Sequence, residues 1–388
     1  MMRKEFHPQL FKIIPILKSE IEIDQSELIY MEIPAGYYGS NLKSPLWMVT
    51  KEPLLNDLVM QLQNLKKELE KMPNIQREID FSRNRLEQAR IGFANMIRNG
   101  EEKLHQLCKL ICESLLSQYQ MQSVVIGEVD STKERFALWQ DISSADLFSN
   151  TDIDLGNRQI GNIQFFDGKD WSPASLIANV VEYHPTQPNT FRVHRIISRI
   201  KAEEEIWNKV VDEIFQLDGL VKRDKKLCHL SRFVKDIFGV KIVVGELEDV
   251  ERVQNILINL VWSEEFRRKY EINLPGTSSD RLEFIEIKDY LTNGGEKKSG
   301  WGAIKSVVQW SNKTFEIQIQ PLRNYLRERE LLTKESHTSF KARREQVRNE
   351  VSGKYPLFRF YQDLLRWLFL NPDNPPPVYE KISFRIRD

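Results

Sequence analysis

Between Leu54 and Gln120 apolar residues recur at helical spacing. Leu55, Leu58, Val59, Leu62, Leu65 and Leu69 fall three or four apart and so share one face of a helix. Pro73 stops that run, a second helix is expected over Ile75–Arg98, and Asn99-Gly100 separates it from a third over Glu101–Gln120. The other faces are rich in Glu, Lys and Arg, which suits antiparallel helices packed as a hairpin or bundle. No run keeps a strict heptad long enough to define a coiled coil. Ahead of the helices, residues 1–50 are mixed, with a strand expected at Leu28–Ile33 before Gly36-Tyr37-Tyr38-Gly39.

Past Tyr119 the pattern changes. Ser123–Val129 (SVVIGEV) reads as a strand, and short apolar pieces at Phe136–Trp139 and Ile160–Phe166 alternate with Asp/Asn/Gly turns. Strand and helix then alternate. Strands are expected at Phe191–Ile200, Lys241–Val244, Phe284–Ile287, Ala303–Trp310 and Thr314–Ile319, with helices from Ala202, over Val250–Trp262 and from Leu322. That order implies an α+β fold around a mixed sheet. Leu357–Leu370 is amphipathic, and its flanking Pro356 and Pro372 suit a C-terminal helix docked on the core better than one lying on a membrane. Pro372–Pro377 (PDNPPP) marks a linker or docking tail. The expected organisation is 1–121 mainly helical, 122–171 a small β-rich subdomain, 172–350 the α+β domain, and 351–388 a helix with a Pro-rich tail.

The 388 residues are enough for two or three domains, and 56 Lys+Arg against 56 Asp+Glu give zero net charge. Neutrality argues against a surface coated by nucleic acid through a net positive field but leaves room for a local basic pocket. Three cysteines, Cys108, Cys112 and Cys228, cannot form a disulfide framework, and no apolar stretch is long enough for a signal peptide or a bilayer span. A reducing, cytoplasmic setting is the expectation. His105, Cys108 and Cys112 share one side of a helix. A zinc site there needs a fourth group, for which Cys228-His229 is a candidate, whereas apolar packing is the simpler reading.

The chemistry concentrates in 199–341. Arg199 and Lys201, two apart on a strand, point to one face, and Lys209 lies two helical turns on, so three cations can converge on a polyphosphate. A solvated cationic strand end has the same spacing. Asp236 precedes an apolar strand, and Glu316, Gln318 and Gln320 alternate along another. If those strands are neighbours, Asp236 and Glu316 make a Mg²⁺ site; taken singly, each is an ordinary strand-end charge. In Gly294–Lys305, glycines flank Trp301 and lysines, a loop able to lay an indole on a purine base, or a hairpin with an incidental Trp.

Taken in order, these pieces resemble the synthetase domain of the RelA/SpoT alarmone synthetases over roughly Phe191–Lys341, with a nucleotidyltransferase-like mixed sheet flanked by helices. That family moves pyrophosphate from ATP to the 3′-hydroxyl of GDP or GTP with Mg²⁺. The resemblance implies that Arg199, Lys201, Lys209 and Lys241 hold ATP phosphates, that Asp236 and Glu316 ligate the metal, and that Glu316 also serves as base. Lys288 (in Lys288-Asp289-Tyr290), Lys297, Lys298, Trp301, Lys305 and His337 fall on the acceptor side, with Phe340 and Lys341 echoing the family's closing motif. Where the family has Arg, Tyr, His and Arg, this chain has Lys241, Trp301, Lys305 and Gln320, so the phosphate groups are kept while base-recognition positions differ. Between Lys209 and Asp236 the chain is longer than usual and carries Lys222, Arg223, Lys225 and Lys226. It contains no His-Asp dipeptide, which implies synthesis without the family's hydrolase. Other acceptors, a tRNA 3′ end or an adenosine nucleotide, stay open. So does a non-catalytic scaffold role with the N-terminal helices binding a protein partner or a second copy, against which the presence of both Asp236 and Glu316 argues.

Overall fold

A nine-stranded mixed sheet organises the molecule. The computed structural model describes residues 45–46, 51–71, 77–116, 118–132, 134–161, 163–166, 170–216, 234–270, 272, 279–291, 302–334, 347–379 and 382–387. These belong to the unit Lys43–Asp388; the other unit, Met1–Leu42, and with it the strand expected at Leu28–Ile33, lies outside the described residues. The first half runs α1 (Pro53–Lys71), β1 (Arg77–Ser82), α2 (Arg83–Leu115), β2 (Tyr119–Val129), β3 (Arg135–Ile142), α3 (Ser144–Ser149), α4 (Asp152–Ile160), β4 (Gln164–Phe166) and β5 (Trp171–Pro185). Then come β6 (Val193–Ile200), α5 (Glu203–Ile214), β7 (Phe238–Val244), α6 (Leu247–Asn259), α7 (Glu264–Lys269), β8 (Glu283–Asp289), β9 (Ile304–Trp310) and β10 (Lys313–Pro321). The chain closes with α8 (Leu322–Lys334), α9 (Pro356–Phe369) and β11 (Ile382–Arg387).

Strand order is β3-β2-β5-β6-β7-β10-β9-β8, with β4 on β5, so β2 and β3 extend the same sheet that carries β6 to β10. Within this sheet only the central pair β7 and β10 is parallel; its other ladders are antiparallel. Alternation decides what each face does. Phe238, Val240, Ile242 and Val244 of β7, with Phe315, Ile317 and Ile319 of β10, are buried on one face against α2 and α6. Their in-between neighbours, polar in the main, face the other way. This is the α+β fold that the strand and helix order implies. Among the described residues no helix is long and apolar enough to cross a membrane.

Three expectations need correction. Asn99-Gly100 does not separate two helices: α2 runs unbroken from Arg83 to Leu115. Gly100 is there because the helix lies directly on the sheet, and a Cβ at that position would come 1.9 Å from Phe238 Cζ. Residues 77–82 are strand, not helix. They pair in parallel with β11, and Ser82 then caps α2 by accepting from the Arg85 backbone N–H. Short helices α3 and α4 occupy a stretch read as turns and strand pieces. Each opens on a capping box, Ser143 with Asp146 and Thr151 with Asp154.

The C-terminal amphipathic helix is docked as expected. Phe358, Phe360, Tyr361, Leu364, Leu365, Trp367 and Leu368 of α9 are buried, and the Tyr361 hydroxyl donates to Leu62 O of α1 at 2.7 Å. On α5, Trp207 stacks on Phe369 with ring centroids 3.8 Å apart. Gly100→Ala tests the helix-on-sheet contact. Ala gains about 1 kcal/mol in helix propensity, but the methyl displaces the Phe238 ring, an overpacking cost of about 1–3 kcal/mol. The expected outcome is a lower urea midpoint with unchanged slope, eased by pairing the change with Phe238→Leu. A variant as stable as the parent would show that the ring moves freely.

Candidate functional site

Register places a row of chemistry on the face of the sheet opposite the apolar one. Arg199 pairs with Gly239, Gly239 with Glu316, and Glu316 with Val307. Two residues along, Lys241 pairs with Gln318, Gln318 with Lys305, and Lys305 with Lys288. Residues two apart on a strand share a face, so Arg199, Lys241, Glu316, Gln318, Lys305 and Lys288 all stand on one side. Gly239 is the gap in this row. A Cβ there would sit 3.5 Å from Arg199 Cγ, so its absence leaves room beside Arg199 and Glu316.

Asp236 lies just ahead of β7, the parallel neighbour of β10, as the two-carboxylate arrangement requires. It gathers two of the expected phosphate ligands. Lys201 Nζ donates to its Oδ2 at 2.8 Å, and Lys209 Nζ, from α5, donates to its Oδ1. Burial opposes ionisation of Asp236, but Lys209, Lys201 and Lys305 together override it and hold the carboxyl well below its usual range. The same crowding acts in reverse on Lys201. Burial, then the charge of Lys209, bring it down to about 8 despite Asp236.

Lys305 joins the two carboxylates. Its ammonium pairs with Glu316 Oε2 and feels Asp236, and these charges outweigh burial and raise its pKa. Gln318 Nε2 donates to Glu316 Oε1 at 2.6 Å, so Glu316, 5% exposed in its side chain, is held from two sides. Lys241 Nζ donates to Glu328 Oε2 of α8 at 2.8 Å and lies over the Tyr325 ring, while burial lowers its pKa. Arg199 is exposed. On β8, Glu286 bridges Lys288 at 2.9 Å and Lys235 at 3.0 Å.

Arg199, Lys201, Lys209, Lys241, Lys288, Lys305, Asp236 and Glu316 are therefore neighbours. Lys297, Lys298, Trp301 and His337 lie outside the described residues, as do Lys222, Arg223, Lys225, Lys226, Cys228, His229, Phe340 and Lys341. Glu328 and Tyr325 were not anticipated. Both fall within the first turns of the helix that follows Glu316's strand, but Glu328 sits in an Arg-Glu-Arg-Glu run that reads as solvated surface. Chemically, the site offers a cationic cradle whose lysines are neutralised by carboxylates, and two hard-oxygen donors of the kind that suit Mg²⁺, Glu316 buried and Asp236 partly so. Were Asp236 and Glu316 to hold a divalent cation, its charge would stand in for the ammonium groups they now pair with and leave those lysines available to an anionic ligand.

A solved structure, the small alarmone synthetase 1 from Bacillus subtilis bound to its product pppGpp, is similar to 40% of this chain. The similarity covers 70% of that chain, at 17% sequence identity and a TM-score of 0.22. No model of a known protein family matches the chain, and no curated protein matches it in sequence.

Proposed function

We propose that this chain is a Mg²⁺-dependent pyrophosphokinase that moves pyrophosphate from ATP to the 3′-hydroxyl of a guanosine nucleotide, GDP or GTP. The observation that carries the reading is the single sheet face on which Arg199, Lys241, Lys305 and Glu316 meet Lys201, Lys209 and Asp236. The ordered resemblance of the same residues to the alarmone synthetases supports the choice of reaction.

In this mechanism Arg199, Lys201, Lys209 and Lys241 hold the triphosphate and offset the charge that moves onto the leaving AMP. The acceptor 3′-oxygen forms a bond to the β-phosphorus as the bond from that phosphorus to the α,β-bridging oxygen breaks. Glu316 takes the hydroxyl proton. Asp236 and Glu316 would hold Mg²⁺, which when bound neutralises phosphate charge. On the acceptor side, Trp301 stacks the base, and Lys288, Lys297, Lys298, Lys305 and His337 bind its phosphates and ribose.

The test is incubation of the full chain with γ-labelled ATP and Mg²⁺ plus GDP, GTP, ADP, ATP or bulk tRNA in separate reactions. Label is expected on GDP or GTP. Transfer to tRNA alone would replace guanosine as the acceptor, and transfer to none would remove the enzymatic reading.

The position of Lys201 also sets a pH dependence. Free protein carries the ammonium below about pH 8 and loses it above, so binding a triphosphate there requires proton uptake. Affinity for ATP, measured by calorimetry, is expected to fall by up to about tenfold per pH unit above that point. Lys201→Arg, charged throughout, removes the fall. An ATP affinity flat across this range in the parent protein would show that Lys201 does not meet the phosphates.

A further inference from the structure

Glu101 and His105 stand one turn apart on α2, and Asp152 opens α4. All three are buried, and one ligand atom from each lies within 4.8 Å of the others. His105 was expected to pack among apolar groups with Cys108 and Cys112. The two cysteines are indeed buried and free, but the imidazole faces charge. Its Nε2 is 3.1 Å from Asp152 Oδ1, and its Nδ1 is 3.5 Å from the Tyr183 hydroxyl. Glu101 Oε1 accepts the backbone N–H of Asp152, which ties the two carboxylates together. Asn179 Nδ2 donates to Asp152 O at 2.8 Å, and the Ser123 hydroxyl donates to Asn179 Oδ1 at 2.8 Å.

Charge and hydrogen bonding are unbalanced here. Two carboxylates share one imidazole in a closed interior, where an uncompensated charge is costly. Burial, then the neighbouring Asp152, push Glu101 up to about 7. A proton on Glu101 would relieve part of that repulsion, yet it leaves one atom unanswered. Among the described residues Asp152 Oδ2 has no hydrogen-bond partner, although Asp152 is only 4% exposed.

We propose that Glu101, His105 and Asp152 bind a divalent first-row transition cation of the Zn²⁺ or Mn²⁺ kind. One imidazole with two carboxylates is a donor set these ions accept. Ligands about 2.0–2.2 Å from a shared centre need the triad to contract by about half an ångström. The supports are present: Tyr183 at the free ring nitrogen fixes the imidazole, and Asn179 with Ser123 fixes the backbone of Asp152. The cation pins α4, which packs on β2 and β5, to α2, which packs on β6, β7 and β10. It lies apart from Asp236 and Glu316, and nothing in the proposed transfer reaction requires it.

Chelator-treated full-length protein carrying Asp236→Asn and Glu316→Gln, titrated with Zn²⁺ and separately with Mn²⁺, isolates this site. One equivalent of at least one of these cations is expected to bind and to raise the melting temperature. Glu101→Gln matches the shape of the protonated acid and keeps the acceptor for the Asp152 N–H, so it separates ligation from folding. It and Asp152→Asn are each expected to weaken binding by about 10-fold or more while the Glu101→Gln protein keeps its metal-free melting temperature. No saturable binding of either cation, or unchanged affinity in both variants, would overturn the proposal.

Discussion

Glu316→Gln is expected to lower the turnover of pyrophosphate transfer by about 10²–10⁴-fold, the range by which a positioned general base accelerates a reaction. The amide has the size and shape of the carboxylate, so β10 and its two neighbours should pair as before. What changes is charge. Lys305 loses the anion it pairs with, the acceptor hydroxyl loses its proton acceptor, and one of two hard-oxygen donors becomes a weaker neutral one. The loss should appear in kcat more than in KM for ATP, because Arg199, Lys201, Lys209 and Lys241 remain to bind the triphosphate. Asp236→Asn should differ. It releases Lys201 and Lys209, so higher Mg²⁺ concentration should recover part of its activity. A fully active Glu316→Gln protein would show that the site is misassigned even if the activity is right.

The largest effect on stability is expected at Arg348. Its guanidinium donates to both oxygens of Asp212 on α5, at 3.1 and 2.8 Å, with both residues buried. Arg348→Ala takes away the bidentate cation that meets this buried carboxylate, and removing one partner of such a pair costs about 3–5 kcal/mol. Desolvation explains the asymmetry. The pair together recovers much of what burial takes from each ion, while one ion alone recovers little. Arg348→Met combined with Asp212→Leu should therefore be more stable than Arg348→Ala, by urea denaturation followed on tryptophan fluorescence. Asp212 lies one turn beyond Lys209, so Arg348→Ala should also weaken ATP binding as α5 loosens. If the double variant proved the less stable of the two, packing would outweigh charge at this position.

Much of the sheet half was legible because short-range pattern dictates it. Glu316, Gln318 and Gln320 alternate with Phe315, Ile317 and Ile319, and that alternation alone sorts them onto two faces. Strands β6, β9 and β10 and helix α8 begin within a few residues of where the apolar pattern puts them. The rest depends on distant partners or on quieter local signals. Asn99-Gly100 reads as punctuation because nothing local reports that Phe238 will press on the helix there. Arg77–Ser82 lies within a run that reads as helix, and the strand it pairs with, Ile382–Arg387, is about 300 residues away. Thr151-x-x-Asp154, by contrast, is a capping box visible in the sequence, and it puts Asp152 in the first turn of a helix. At the candidate site, side-chain types and spacing pointed to the cations and the carboxylates. They could not reveal that each of Lys201, Lys209, Lys241 and Lys305 already has an anion, since those pairings join residues as many as 87 positions apart.

The pairing of β1 with β11 has a consequence for how the molecule is made. Arg77 meets Ile382, about 300 residues later, and Tyr361 of α9 reaches back to the backbone of α1 at Leu62. During synthesis on a ribosome β1 therefore waits for about 300 further residues before its ladder can close, and non-local ladders of this kind form slowly. In that interval Phe81 lacks Phe384, which stacks on it in the finished fold, and α1 lacks the Tyr361 hydroxyl that donates to Leu62 O. Every strand of the nine-stranded sheet precedes β11, so that sheet can assemble before the β1–β11 ladder closes, and cotranslational aggregation and chaperone dependence should centre on the α1–β1 segment.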